Sequence, residues 1–226
     1  NTKFYLKTNT NQLSQVAPER LKMELLKIVD LDWHPSAWKT FFELQLFNNW
    51  CDNNMTGIET FAVDLAGSSV EMVFDMAKVT GLTLVNFTDA DSESVEFNNL
   101  ASGVTIDATT DNATDTTVEV KPATVSGTET QAFNVSALGA DDDLSLVLAD
   151  VETVTIKPES ALQVDLDLSG LTMTASGEVM TVTLSGTNDV EITALNADVT
   201  TLDASGMGTG GAVVQTGRSA EVASTY

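Results

Sequence analysis

Apolar and polar positions recur with two different periods along this chain, and the change falls near residue 54. Before it, apolar residues return every three or four positions. Leu21, Leu25 and Ile28 fall on one face of residues 17–29, behind Pro18 and Glu19. Trp38, Phe41, Phe42, Leu46 and Trp50 do the same in residues 35–50, behind Pro35. A three-to-four spacing lines such positions up on a helix. Proline fits the first helical position, where its missing N–H is not needed, and Glu19 suits the positive end of the helix dipole. Two helices are therefore predicted. Helices this short bury too little to stand alone, so the stripe Trp38, Phe41, Phe42 and Trp50 reads either as core or as an interface to a neighbour or an anchor.

From Met55 onward the period becomes two, which sends alternate side chains to opposite faces of a strand. Strands are predicted at Ile58–Leu65, Val70–Met76, Thr83–Phe87, Ser94–Phe97, Val104–Asp107, Thr117–Val120 and Phe133–Val135. They continue at Leu144–Leu148, Thr153–Ile156, Gln163–Leu168, Leu171–Thr174, Val179–Leu184, Val190–Thr193 and Val199–Leu202. Glycines, among them Gly170, Gly186 and Gly206, punctuate the series. Short strands with such spacing fit a sandwich, a barrel or a solenoid. Internal echoes favour the solenoid. Val118-Glu-Val-Lys-Pro122 resembles Val154-Thr-Ile-Lys-Pro158, and Val104-Thr-Ile-Asp-Ala108 resembles the phrase around Thr201 to Ala204. In a stack of coils, repeated phrases are expected at equivalent ladder positions. At about 20 residues per coil, residues 55–226 would make roughly eight or nine coils. The expected fold is thus mainly β, a β-solenoid (parallel β-helix) over 55–226 preceded by a small α-helical segment over 1–54. A tandem β-sandwich is the alternative.

Charge follows the same division. Residues 1–54 hold 6 basic and 6 acidic residues, so the net charge of −23 lies wholly in residues 55–226. That balance excludes nucleic acid as a partner, because phosphates need Lys and Arg. It disfavours anionic membranes and favours cations. No run of about 18 apolar residues is present for a membrane-spanning helix. The single cysteine, Cys51, cannot form an internal disulfide.

Calcium requires several converging oxygens, often from carboxylates two residues apart. Asp89, Asp91 and Glu93 have that spacing, and Asp141, Asp142 and Asp143 form a second cluster. Asp111 with Asp115 and Asp165 with Asp167 are weaker pairs; Asp165 and Asp167 read as the outer face of a strand whose inner face is Val164, Leu166 and Leu168. The bland alternative for all of them is a solvated surface. Catalysis is not expected. His34 and Cys51 lack an acid at triad spacing. Residues 55–226 offer only Lys78, Lys121, Lys157 and Arg218 as cations and no Trp as a sugar platform.

Three phrases carry a resemblance: Met55-Thr-Gly-Ile-Glu-Thr-Phe-Ala-Val-Asp-Leu, Val79-Thr-Gly-Leu-Thr-Leu-Val-Asn-Phe, and Val199-Thr-Thr-Leu-Asp-Ala-Ser-Gly-Met-Gly-Thr-Gly-Gly-Ala-Val-Val. Over about residues 55–214 the chain resembles the repetitive β region of bacterial surface-layer (S-layer) proteins of the RTX-related type. The resemblance implies a secreted, extracellular structural protein that self-assembles into a two-dimensional lattice on the cell surface. It further implies Ca²⁺ at the contacts and a cell-surface polysaccharide as possible anchor, with no insertion into the membrane. The chain departs from that family in lacking the calcium nonapeptide, since Gly206-Met-Gly-Thr-Gly-Gly is not followed by Asp. An adhesin stalk or a phage or virion fibre component, binding a surface receptor or glycan, is the alternative function.

Overall fold

The structure is a computed structural model that describes residues 3–8, 55–56, 58–64, 72–88, 94–110, 116–139, 142–175, 177–215 and 223–225. The helices expected at 17–29 and 35–50, with Trp38, Phe41, Phe42 and Trp50, lie outside the described residues. Among the described residues every regular element is a strand. In chain order these are β1 (Lys3–Thr8), β2 (Met55–Thr56), β3 (Ile58–Asp64), β4 (Met72–Asp75), β5 (Val79–Thr80) and β6 (Leu84–Thr88). Next come β7 (Ser94–Leu100), β8 (Thr105–Thr110), β9 (Thr116–Pro122), β10 (Thr130–Ala137), β11 (Asp143–Ala149) and β12 (Thr153–Pro158). The series closes with β13 (Val164–Thr172), β14 (Met180–Gly186), β15 (Val190–Leu195), β16 (Val199–Met207), β17 (Val213–Gln215) and β18 (Ala223–Thr225).

From β6 onward the chain alternates between two sheets, one strand in each. Sheet I runs β1-β3-β6-β8-β10-β12-β14-β16-β18 and sheet II runs β4-β7-β9-β11-β13-β15-β17. Apart from β1, every pairing is parallel. That pattern is a parallel β-solenoid of about six turns. Phe61 stands beside Val85, Val85 beside Ile106, Ile106 beside Phe133, and Phe133 beside Ile156, which makes coils of 24, 21, 27 and 23 residues. Across the stack the step runs from 19 (Met180 to Val199) to 28 (Ile156 to Leu184). The coils are longer and fewer than expected, because the corner loops between the sheets consume residues that periodicity does not register.

The two-residue period explains the packing. Inward positions of sheet I, such as Val85, Ile106, Phe133 and Ile156, meet those of sheet II, such as Val95, Val118, Leu146 and Leu166, and all are at most 1% exposed. Each buried side chain of this size contributes about 1.5–3 kcal/mol. Aromatic rings sit in the early coils. Phe61 and Phe74 meet edge to face at 5.2 Å, and Phe74 stacks on Phe97 at 5.7 Å. The later core is aliphatic.

Two sequence expectations need correction. The expected strand Leu171–Thr174 is not separate, since Leu171 and Thr172 end β13, and Gly170 and Gly206 lie inside strands instead of breaking them, whereas Gly186 is the last residue of β14. Gly170 is an approach point: a Cβ there would lie 2.7 Å from Val147 Cγ2 and 2.8 Å from the Leu146 carbonyl oxygen. The Lys-Pro echo also misleads. Val118–Pro122 lies in sheet II and Val154–Pro158 in sheet I, so the phrase marks a strand end in either sheet and not one ladder position.

β1 is the exception to parallel order. It runs antiparallel along β3, with Phe4 opposite Val63 and Leu6 opposite Phe61. It covers the outer edge of β3, an edge that would otherwise present unpaired backbone groups.

Candidate functional site: two outward faces and the corners

The solenoid turns one set of alternate residues outward on each sheet, and the two outward faces differ in charge. Across β7 to β15, sheet II presents Glu96, Glu119, Asp143, Asp165, Asp167 and Glu191 against one base, Lys121. Asp143 stands beside Asp165 and Asp165 beside Glu191, so three acids share one column on consecutive coils. Neighbouring strands are about 4.8 Å apart, so the carboxylates of such a column repel one another. Gln163 relieves part of this, donating from Nε2 to Asp165 Oδ1 at 2.9 Å and to Glu191 Oε2 at 3.0 Å. Lys121 serves another column of the same face, with Nζ 2.8 Å from Glu96 and 3.1 Å from Glu119. Its bonds to Glu96 and then to Glu119 raise its pKa.

Sheet I is the opposite. Across β6 to β16 its outward strand positions carry Asp107, Asp203 and the base Lys157, and otherwise mostly Thr, Asn and Ser. Thr130, Thr153, Thr181 and Thr201 form one column. Asn86, Asp107, Asn134 and Lys157 form another. Lys157 Nζ bonds Glu159 at 2.6 Å. Half-buried Asp107 has its pKa raised, first by burial and then by Glu159, against the opposing pull of Lys157.

The corners use carboxylates differently. Glu129 is 5% exposed and closes the turn before β10. It accepts from the Ser126 backbone N and Oγ, both at 2.6 Å, from Gly127 N at 2.8 Å and from Thr128 N at 3.1 Å. The Ser126 hydroxyl above all, with the three backbone donors, holds its pKa down to about 2 against the opposing effect of burial. Glu152 of the next coil accepts the Glu129 N–H at 2.7 Å through Oε2. Its Oε1 is buried without a hydrogen-bond partner.

The calcium candidates distribute as follows. Asp89, Asp91, Glu93, Asp111, Asp115 and Asp141 lie outside the described residues. Asp142 is buried at 3% exposure, and its Oδ2 accepts from Leu138 N at 3.0 Å and Gly139 N at 2.6 Å. Asp143, the next residue, faces outward on β11. The structure therefore does not bring Asp142 and Asp143 to one point. Asp165 and Asp167 face outward over fully buried Val164, Leu166 and Leu168. Among the described residues no three His, Cys, Asp or Glu side chains converge as a metal site. Sequence reasoning missed the Asp143–Asp165–Glu191 column, whose members are 22 and 26 residues apart and meet only through the coil register. It also missed Glu129, although Ser-Gly-Thr-Glu is a turn phrase that could have flagged it. No family model, no curated protein and no solved structure matches this chain.

Proposed function

We propose that this protein is a structural cell-surface protein, a solenoid of the RTX-related S-layer type. It is secreted and self-assembles into a two-dimensional lattice outside the cell. The observation that supports this reading best is the solenoid itself: about six turns whose faces repeat similar residue types from coil to coil. A neighbouring copy therefore meets the same chemistry along the length of the stack. Ca²⁺ assists the contacts in this reading. The acidic column of sheet II supplies hard oxygen ligands that do not converge within one copy, and a divalent cation between copies would both draw ligands from each and relieve the repulsion. The stripe Trp38, Phe41, Phe42 and Trp50 would then meet a neighbour or a cell-surface polysaccharide.

Sedimentation velocity with negative-stain imaging, in millimolar Ca²⁺ and again in EGTA, tests the proposal. Regular sheets that form with Ca²⁺ and disperse in EGTA are expected. A monomer in both conditions refutes it. A discrete trimer indifferent to Ca²⁺ replaces it with the adhesin-stalk or fibre reading.

A further inference from the structure

A chain with a net charge of −23 repels its own copies. Any direct contact between two copies must therefore use a surface that is nearly neutral. Sheet II, with six outward acids on five strands, does not qualify without cations. Sheet I comes nearest, since from β6 to β16 its charges are Asp107, Asp203 and the ion pair Lys157–Glu159, and these are placed in a particular way. The column Asn86–Asp107–Asn134–Lys157 puts an acid one coil before Asn134 and a base one coil after it.

We propose that the outward face of sheet I is a cation-independent, two-fold contact between two copies of this chain, with the symmetry axis running along β10. A rotation of 180° about that axis keeps strand position and reverses coil order. Lys157 of one copy then lies over Asp107 of the other, and the reverse holds by symmetry, as an isologous contact requires. Asn134 meets Asn134. The neighbouring column passes the same check. Its members Thr60, Leu84, Thr105, Ala132, Thr155, Thr183 and Asp203 are centred on Ala132. Asp203 of one copy falls over Thr60 of the other, so no two acids of these columns are opposed. Such a contact would set a second lysine over the half-buried Asp107, whose own-copy Lys157 already opposes part of the effect of burial and of Glu159.

The area suffices. Seven strands from β3 to β16 at about 4.8 Å each, and about five residues' length along the strand, give roughly 34 Å by 17 Å. Two such faces bury about 1,100 Å², above the ~1,000 Å² that a specific contact needs. The inference rests on the self-assembly reading and names the face that does not need Ca²⁺.

The test is made in EGTA on the full chain with Cys51→Ser. Asn134→Cys in that background is expected to form a disulfide-linked dimer on oxidation, whereas Ser145→Cys on sheet II does not. In sedimentation equilibrium Lys157→Glu is expected to weaken the dimer at least tenfold, and Lys157→Asp combined with Asp107→Lys to restore it. Circular dichroism checks that each variant keeps the fold. Lys157→Glu leaving the dimer intact, the double swap failing to restore it in a folded protein, or Ser145→Cys crosslinking equally would each overturn the proposal while leaving lattice formation standing. A dimer that forms in EGTA without sheets ever appearing in Ca²⁺ would do the reverse. A monomer at every concentration, with and without Ca²⁺, would sink both.

Discussion

Replacing Gly170 by alanine isolates one steric event in a defined place. The new Cβ would lie 2.7 Å from Val147 Cγ2, 2.8 Å from the Leu146 carbonyl oxygen and 3.1 Å from Val147 Cα, where ordinary contact begins near 3.4 Å. Two of the three obstacles are backbone atoms of β11. That strand is held by β9 on one side and β13 on the other, so neither can step aside without opening sheet II. Overpacking of this kind costs about 1–3 kcal/mol, and the backbone contacts place it in the upper half of that range. Alanine also narrows the unfolded ensemble, which returns about 0.4–1 kcal/mol. The net expectation is a loss of about 1.5–2 kcal/mol, read as a lower urea midpoint with unchanged slope. Adding Val147→Ala removes the methyl obstacle but not the carbonyl, so it restores less than half of the loss. Gly103→Ala is the control. Gly103 has φ +82° with open space around its missing Cβ, so its cost is conformational and Val147→Ala leaves it untouched. A Gly170→Ala protein within 0.5 kcal/mol of the parent, or a complete rescue by Val147→Ala, would refute the backbone argument; that threshold is about the usual scatter of a neutral surface substitution.

Three further outcomes follow from the same structure. Leu146→Ala, at a fully buried position in the middle of sheet II, should cost about 2–5 kcal/mol in urea unfolding, and a loss below that would mean the coil collapses around the cavity. Glu129 has a folded pKa of about 2, below the ordinary carboxyl value of 4.5. Its contribution to stability is thus complete above about pH 4.5 and is lost as the pH falls through about 2. Glu129→Gln should lower the melting temperature at neutral pH and flatten its decline on acidification, and an unaltered pH profile would count against the corner lock. Lys121→Met leaves Glu96 and Glu119, neighbours in register, without the cation they share. It should destabilise the protein more at low salt than at high salt, because screening weakens the repulsion left behind.

Much of this fold is legible in the chain. Alternation in Thr153-Val-Thr-Ile-Lys and Met180-Thr-Val-Thr-Leu shows both the strand and the face that each residue takes, because only a period of two sends Val154, Ile156, Val182 and Leu184 inward together. Coil length is not legible in that way. The loop from Leu100 to Thr105 and the one from Pro122 to Thr130 join the same pair of sheets with different numbers of residues, and apolar periodicity is silent in both. Without coil length there is no register, and without register Asp143, Asp165 and Glu191 are three separate acids. Gly170 shows the same limit from the other side. A glycine reads as a break when seen along the chain, whereas here it is required by Val147 on the adjacent coil. β1 is illegible for a third reason, since nothing in Lys3-Phe-Tyr-Leu-Lys-Thr announces that its partner begins at Ile58.

The similar step between bonded strands, 19 to 28 residues on every coil traced through sheet I from β3 to β16, bears on how such a chain reaches its native state. In most β proteins, pairing strands far apart in sequence slows folding, and the penalty grows as the topology becomes less local. From β3 onward no described strand waits for a distant partner; β1, whose Leu6 lies opposite Phe61, is the exception. The entropy of closing each loop varies only logarithmically with its length, so steps of 19 and 28 residues differ by a few tenths of a kcal/mol. Every coil added docks on the one before it by the same elementary event, at a nearly uniform entropic cost. The number of coils is thereby freed from the kinetics of folding, and length becomes a dimension that selection can set by the distance the protein has to span.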